Sequence, residues 1–174
     1  MQPKRIEQHY HFCPRCGAKN DCTAEAPFRC KPCGFTQFFG PVAAVGALIC
    51  NELDELLLVR RARNPGKGKW GLPGGFIDRA ESVETAMRRE VREETQLEVC
   101  DARYLTSHPN DYDYHGIVSP VVDLFYTARV IAPETIVLAK DELDLHIWVQ
   151  PSEEHLDQMA FPSNRLAVEY WLNG

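Results

Sequence analysis

From Ser82 to Leu97 the chain reads SVETAMRREVREETQL, and its acids fall where a helix would bury them. At about 100° per residue, Val83, Ala86 and Met87 form an apolar stripe; Glu90 and Glu94 lie on that same stripe, with Glu93 at its edge. Any fold must seat this face against something. Crowding three carboxylates on it costs several kcal/mol per ion unless an opposite charge compensates. Mg²⁺ or Mn²⁺ is the natural compensator, because hard cations take oxygen ligands and share them with phosphates. Glu90 and Glu94 are spaced i,i+4 and Glu90 and Glu93 i,i+3, so their oxygens can converge. Arg89, four residues before Glu93, is placed to hold that carboxylate. Arg88 and Arg92 are expected on the outward face. A solvated helix laced with ion pairs is the other reading of the same acids.

A second pattern governs the N-terminal region. Cys13 and Cys16 in CPRC and Cys30 and Cys33 in CKPC are two CxxC knuckles with thirteen residues between them, the spacing of a zinc ribbon in which four thiolates close a tetrahedral structural Zn²⁺ site. Gly17 and Gly34 follow the second cysteine of each pair and suit a tight turn. Residues 1–40 carry too little apolar content to fold without such a cross-link. A disulfide pair would be the alternative. Cys22, Cys50 and Cys100 read as ordinary small residues, and His9 and His11 are not needed once four cysteines are in place.

The acid helix belongs to a longer pattern. Gly75, Glu81, Arg89, Glu90, Val91, Glu93, Glu94 and Leu97 fall on the Nudix box, GX5EX7REUXEEXGU with U aliphatic, and WGLPGG (Trp70–Gly75) is its usual lead-in. The segment therefore resembles the Nudix family. One position departs: Gln96 stands where the family has a glycine that ends the helix left-handed, so an altered helix exit is expected. The resemblance implies an α/β/α sandwich on a mixed sheet. It also implies metal-dependent hydrolysis of a nucleoside diphosphate linked to a second moiety. Glu90, Glu93 and Glu94 carry over as Mg²⁺ or Mn²⁺ ligands with the carbonyl of Gly74, Arg89 as the orienting cation and Glu81 as a structural or accessory acid. Glu142, in KDELDLHIWV, is the candidate for a further ligand or general base, with Asp141 and Asp144 as rivals.

Substrate residues are less sharply marked. The basic run RRARNPGKGKW holds Arg60, Arg61 and Lys69, which could attract polyphosphate, and Tyr112, Tyr114 and Phe161 could stack on a ring. A zinc ribbon ahead of a Nudix domain resembles the NADH pyrophosphatase group. That group has SQPWPFPxS where this chain has RYLTSHPNDYDY, Arg103–Tyr114; Ser107 and Pro109 are kept, and Asn110 to Asp113 replace the aromatic-proline part of a substrate loop. ADP-ribose, FAD or a sugar nucleotide would suit the same scaffold as NADH.

The rest of the layout fits. The 174 residues suffice for one good core and a small appendage, divided near Gly40 and Pro41 into a ribbon (1–40) and a Nudix domain (41–174). VAAVGALI and LLLVR read as a hairpin about the turn NELDE, and EVCDARYLTS, VVDLFYTARV and LHIWVQ as further strands. A short helix is expected from Pro151 to Met159, and a last one from Asn164 to Leu172 with Ser163 as its N-cap. The net charge of −6 disfavours duplex nucleic acid as a partner. No apolar run can span a bilayer and none forms a signal-peptide core, so a cytoplasmic protein is expected. The expected partner is a small nucleotide, with a homodimer left open. A ligand-sensing relative of the fold, or a ribbon that grips a partner, is the competing function, and a prenyl-diphosphate isomerase using Cys50 or Cys100 a third.

Overall fold

The computed structural model describes residues 3–131 and 135–174. The chain forms two compact units, Met1–Val42 with Asp111–Val121, and Ala43–Asn110 with Val122–Gly174.

In the first unit, β1 (Lys4–Arg5) pairs in parallel with Ile117 and Val118 and leads into a 3-10 turn at Ile6–His9. Both CxxC segments close by one device. The amides of Gly17 and Gly34 donate to the carbonyls of Cys13 and Cys30 at 2.9 Å, and those two cysteines' own amides donate to Ala18 and Phe35 at 2.8 Å. β2 (Phe28–Arg29) and β3 (Thr36–Gln37) form the antiparallel ribbon. Tyr10, Phe28, Phe35 and Phe39 pack with Cys13 and Cys30, the Tyr10 ring meeting Phe39 edge-on at 4.7 Å.

The second unit is built on strands buried on both faces. β4 (Val42–Cys50) and β5 (Leu56–Arg61) are the hairpin, turned by Asn51, whose Oδ1 accepts the amides of Leu53 and Glu55 at 2.9 Å. β6 (Trp70–Gly71) pairs with β5, and β7 (Gly74–Phe76) with β4. After helix α1 (Val83–Thr95) come β8 (Val99–Tyr114), β9 (Ile117–Val130) and β10 (Leu143–Val149), then α2 (Glu153–Asp157) and α3 (Pro162–Leu172). The main order is β9-β4-β5-β10, with β8 beside β9. The sheet is mixed, since β1 runs parallel to β9 while β5 is antiparallel to β4 and β10.

Period-two alternation sorts the strand side chains into two cores. Val45, Ala47, Ile49, Leu57 and Val59 pack with Ala86, Met87 and Val91 of α1. Leu48, Cys50, Leu56, Leu58 and Phe125 pack with Leu156, Ala167 and Val168 of α2 and α3. That is the α/β/α sandwich, and it explains why VAAVGALIC and LLLV are continuous apolar runs. Each fully buried Leu or Ile here contributes about 1.5–3 kcal/mol.

Four details differ from expectation. Gln96 adopts the left-handed conformation despite its side chain (φ 59°, ψ 16°), and its amide donates to Arg92, so the helix exit is the glycine-type cap after all. Strain of about 1 kcal/mol is tolerated there because the next residue, Leu97, is buried in the core. Ser163 is not an N-cap: α3 starts at Pro162 with Phe161 as N-cap, and Ser163 lies inside the helix, fully buried. The short helix is confined to Glu153–Asp157 and starts after Ser152. The segment expected as a substrate loop is strand, because β8 continues without a break to Tyr114.

Candidate active site

Helix α1 brings the box together. Ser82 caps it, its hydroxyl accepting the Thr85 amide at 3.2 Å, and Ala86, Met87 and Val91 press onto the sheet. The same face then carries Glu94, 6% exposed, and the half-buried Glu90; Glu93 is turned outward, with 60% of its side chain exposed. Arg88 and Arg92 are exposed as expected, Arg88 donating to the carbonyl of Val99.

The floor beneath these acids is the Gly74–Gly75 pair of β7. The Gly74 amide donates to Glu94 Oε2 at 2.9 Å. Gly74 has φ +151°, and a Cβ there would sit 2.0 Å from the Val45 carbonyl oxygen; a Cβ on Gly75 would stand 2.7 Å from the Glu90 carboxylate. Both positions exclude a side chain so that backbone and carboxylates can meet.

Arg89 braces the other side. Its Nε and Nη2 hold both oxygens of Glu81, at 3.0 and 2.9 Å, and its Nη1 reaches Glu90 at 2.7 Å and Glu93 at 3.1 Å. Nη2 also donates to the Phe76 carbonyl at 3.1 Å. This ties the helix to the end of the glycine floor. The bidentate pairing with Arg89 holds the Glu81 carboxyl below its usual range, and the same acids drive the guanidinium above its own. Glu81, read from the sequence as a structural or accessory acid, is thus Arg89's principal partner.

One cation does not balance the cluster. Burial, with the charges of Glu90 and Glu142, pushes the Glu94 carboxyl up to about 8, against the pull of the Gly74 amide and Arg61. Glu90 is raised as well, first by burial and then by Glu93 and Glu142, with Arg89 opposing. Glu142 therefore stands within electrostatic reach of both. Its backbone is fixed by the Ala62 amide, which donates to its carbonyl at 2.7 Å, and its carboxylate pairs with Arg63 at 2.7 Å. Its neighbour Ala139 donates to the Glu94 carbonyl at 3.0 Å, tying the loop before β10 to the end of α1. Asp144, a rival of Glu142, is committed to Arg60 at 2.7 Å.

The donor set fits a hard divalent cation. Oxygen ligands with an uncompensated buried charge are what Mg²⁺ or Mn²⁺ satisfies. Among the described residues, the group whose ligand atoms already converge is the four cysteines, all within 4.8 Å of one another. The carboxylates are more widely spread, with Arg89 between Glu90 and Glu93, which suits a cation that keeps several waters. The cysteine sulfurs, free of disulfides and with contacts of 3.7 Å (Cys13–Cys33) and 3.6 Å (Cys16–Cys30), fit a tetrahedral Zn²⁺.

The substrate residues read from the sequence are divided between the two units. Arg61 continues the Leu57–Val59 face toward α1; its guanidinium lies 5.1 Å above the Phe161 ring and its Nε donates to the Pro65 carbonyl at 2.6 Å. Arg60 takes the opposite face by strand alternation. Lys69 is exposed in the turn before β6. Tyr112 is half-buried in β8 and Tyr114 is 64% exposed, edge-on to His115 at 4.5 Å; both lie in the ribbon unit, whereas the acids and Phe161 lie in the other.

Residues 40–170 match the family model described as the NUDIX domain. The chain belongs to the Nudix family. An ADP-ribose pyrophosphatase of Methanocaldococcus jannaschii is 31% identical over 141 residues, covering 79% of this chain and 78% of that protein. An NAD-capped RNA hydrolase NudC of Pseudomonas aeruginosa is 34% identical over 142 residues and 81% of this chain, which spans 48% of that protein's length. Among solved structures, the NUDIX domain of Shewanella oneidensis NrtR complexed with ADP ribose superposes with a TM-score of 0.63 at 27% identity, over 78% of this chain and 89% of that one. It is a Nudix hydrolase related to these proteins. No helix among the described residues of this Nudix hydrolase is long and apolar enough to cross a membrane.

Proposed function

We propose that this Nudix pyrophosphohydrolase cleaves the diphosphate linkage of a nucleoside diphosphate derivative, with ADP-ribose as the first candidate substrate and NADH or FAD as alternatives. The observation that carries the reading is Glu94: a carboxylate seated on the Gly74 amide and crowded by neighbours of its own charge, which makes chemical sense when a cation and a polyphosphate join it. Glu90, Glu93 and Glu94, with the Gly74 carbonyl, would hold Mg²⁺ or Mn²⁺. That ion supplies charge neutralisation on the phosphates and a water of lowered pKa.

The chain's own residues do the rest. Arg89, itself held by Glu81, fixes the Glu90 and Glu93 carboxylates directly, so that the ligand set is preorganised and loses little entropy on binding. Glu142, whose charge is felt by both buried acids, would take a proton from the attacking water or add a ligand. Arg61, held over Phe161, offers a guanidinium to a phosphate oxygen. The ADP-ribose name of one relative and the ADP-ribose-bound Nudix domain of another support that substrate. The four cysteines would hold a structural Zn²⁺, and free thiols suit a cytoplasmic setting.

The test is a panel of ADP-ribose, NADH, FAD and nucleoside triphosphates with Mg²⁺ or Mn²⁺, with products resolved by chromatography. Release of AMP and ribose 5-phosphate from ADP-ribose is expected. No cleavage of any diphosphate derivative with either metal would refute the proposal.

A further inference from the structure

Asp123 is a buried acid with no part in the hydrolytic reading. In VVDLFY of β9 it shares a strand face with Val121 and Phe125, and only 8% of it is exposed. A carboxylate in that position is tolerated only with donors aimed at it. Oδ2 accepts two: the Ser163 hydroxyl at 2.5 Å and the Asn110 amide at 2.9 Å. Burial pushes the Asp123 carboxyl up, while Ser163, Asn110 and the charge of His108 work against it.

These partners come from two places that matter for substrate. Ser163 is the second residue of α3, whose N-cap, Phe161, supplies no side-chain hydrogen bond to the helix start. Asp123, acting through the Ser163 hydroxyl, brings negative charge to that end, where the helix dipole favours it. The segment just before carries Phe161 beneath the Arg61 guanidinium. It also supports the basic loop and the lead-in to the glycine floor. Trp70 donates to the Gln158 carbonyl at 3.0 Å, Ala160 donates back to Trp70 at 2.7 Å, and a Cβ on Gly66 would stand 2.7 Å from the Ala160 Cβ. Asn110, for its part, lies in the HPNDYDY stretch of β8, where the sequence departs from the NADH pyrophosphatase pattern.

We propose that Asp123, clamped between Ser163 and Asn110, is a positioning residue for substrate: it seats the start of α3 so that Arg61, held over Phe161, meets the diphosphate of an ADP-ribose-type ligand. The inference rests on the ligand class of the proposed function, not on turnover. Asn110 then owes its place to the buried acid it pairs with. A tilt of the helix start would displace the Arg61–Phe161 pair while leaving Glu90, Glu94 and Arg89, which sit on another helix, where they are.

The experiment measures calorimetric binding of ADP-ribose in Ca²⁺ and steady-state hydrolysis in Mg²⁺, using the full zinc-loaded chain. Asp123→Asn should weaken ADP-ribose binding and raise KM about tenfold with kcat within about threefold, and Ser163→Ala should do so by about threefold. Mg²⁺ affinity, read from tryptophan fluorescence, should not move. The exchanged pair Asn110→Asp with Asp123→Asn restores a carboxylate–amide contact and should recover at least part of the lost affinity. A merely structural role would lower the melting temperature without this KM-against-kcat split. Unchanged ADP-ribose affinity in folded Asp123→Asn or Ser163→Ala overturns the inference, as does a loss confined to kcat. Should Asp123→Asn fail to fold, Ser163→Ala decides alone. A wild type that binds ADP-ribose without cleaving it refutes the hydrolytic reading only, and one that does not bind it refutes this inference as well.

Discussion

Replacing Glu94 by Gln tests the electrostatic logic of the site without relying on activity. Glu94 is 6% exposed, and burial together with Glu90 and Glu142 lifts its carboxyl from the ordinary 4.5 to about 8. In the unfolded chain the group loses its proton near 4.5; in the folded, metal-free protein it keeps that proton until about pH 8. The folded state thus binds more protons between those values. Stability from this group is complete below pH 4.5 and falls as pH rises towards 8. At about 1.36 kcal/mol per pH unit the loss approaches ~5 kcal/mol, and water entering the site reduces it, so about 2–5 kcal/mol is expected. Gln cannot ionise, and its amide oxygen can still accept the Gly74 amide. Without Mg²⁺, Glu94→Gln should be more stable than wild type by that amount at pH 8 and nearly equal to it at pH 5. Millimolar Mg²⁺ should stabilise wild type at pH 8 and leave the variant unmoved. Urea unfolding followed by tryptophan fluorescence reads this directly, because Trp70, Trp148 and Trp171 all lie in the second unit. Parallel pH dependence in the two proteins, or equal Mg²⁺ stabilisation, would refute the reasoning.

Further expectations follow from the same geometry. Glu94→Gln should lower turnover by orders of magnitude, and wild-type rates on ADP-ribose would remove Glu94 from the ligand set. Arg89→Lys keeps the charge and loses the fork that holds Glu81 by both oxygens while reaching Glu90 and Glu93, so kcat/KM should drop at least tenfold; a change under twofold in steady-state assays would show that the brace is dispensable. Cys30→Ser should lose the one Zn²⁺ per chain and destabilise residues 1–40, with less effect on hydrolysis; protein purified without added metal that contains neither zinc nor iron by elemental analysis would contradict the ribbon site. Because Asn110 to Asp113 replace the aromatic-proline segment, ADP-ribose or FAD should be cleaved at least as well as NADH and nucleoside triphosphates weakly. A kcat/KM for NADH more than about a hundredfold above both, roughly 2.7 kcal/mol of selectivity, would reverse that ranking.

The linear sequence by itself determined the helix, its acids and the two cysteine knuckles, because each is a short-range pattern. Side chains three or four apart share a helix face whatever surrounds them, and a CxxC turn closes within five residues. The same locality made the double-faced strands legible as unbroken apolar runs. What depended on distant partners was not legible. Arg89's choice of Glu81 as its bidentate partner, and the reach of Glu142 to Glu90 and Glu94, follow from how the loops before α1 and β10 fold back on the helix. Ser163 has the chemistry of an N-cap, yet tertiary structure spends its hydroxyl on Asp123, forty residues away. An acid inside the apolar strand VVDLFY was a visible irregularity, but only the packing of β8, β9 and α3 shows which donors make it tolerable. Gln96 makes the point most simply: a local rule disfavours the left-handed cap, and burial of the neighbouring Leu97 in the core outweighs it, since about 1 kcal/mol of backbone strain is less than the burial of one leucine contributes.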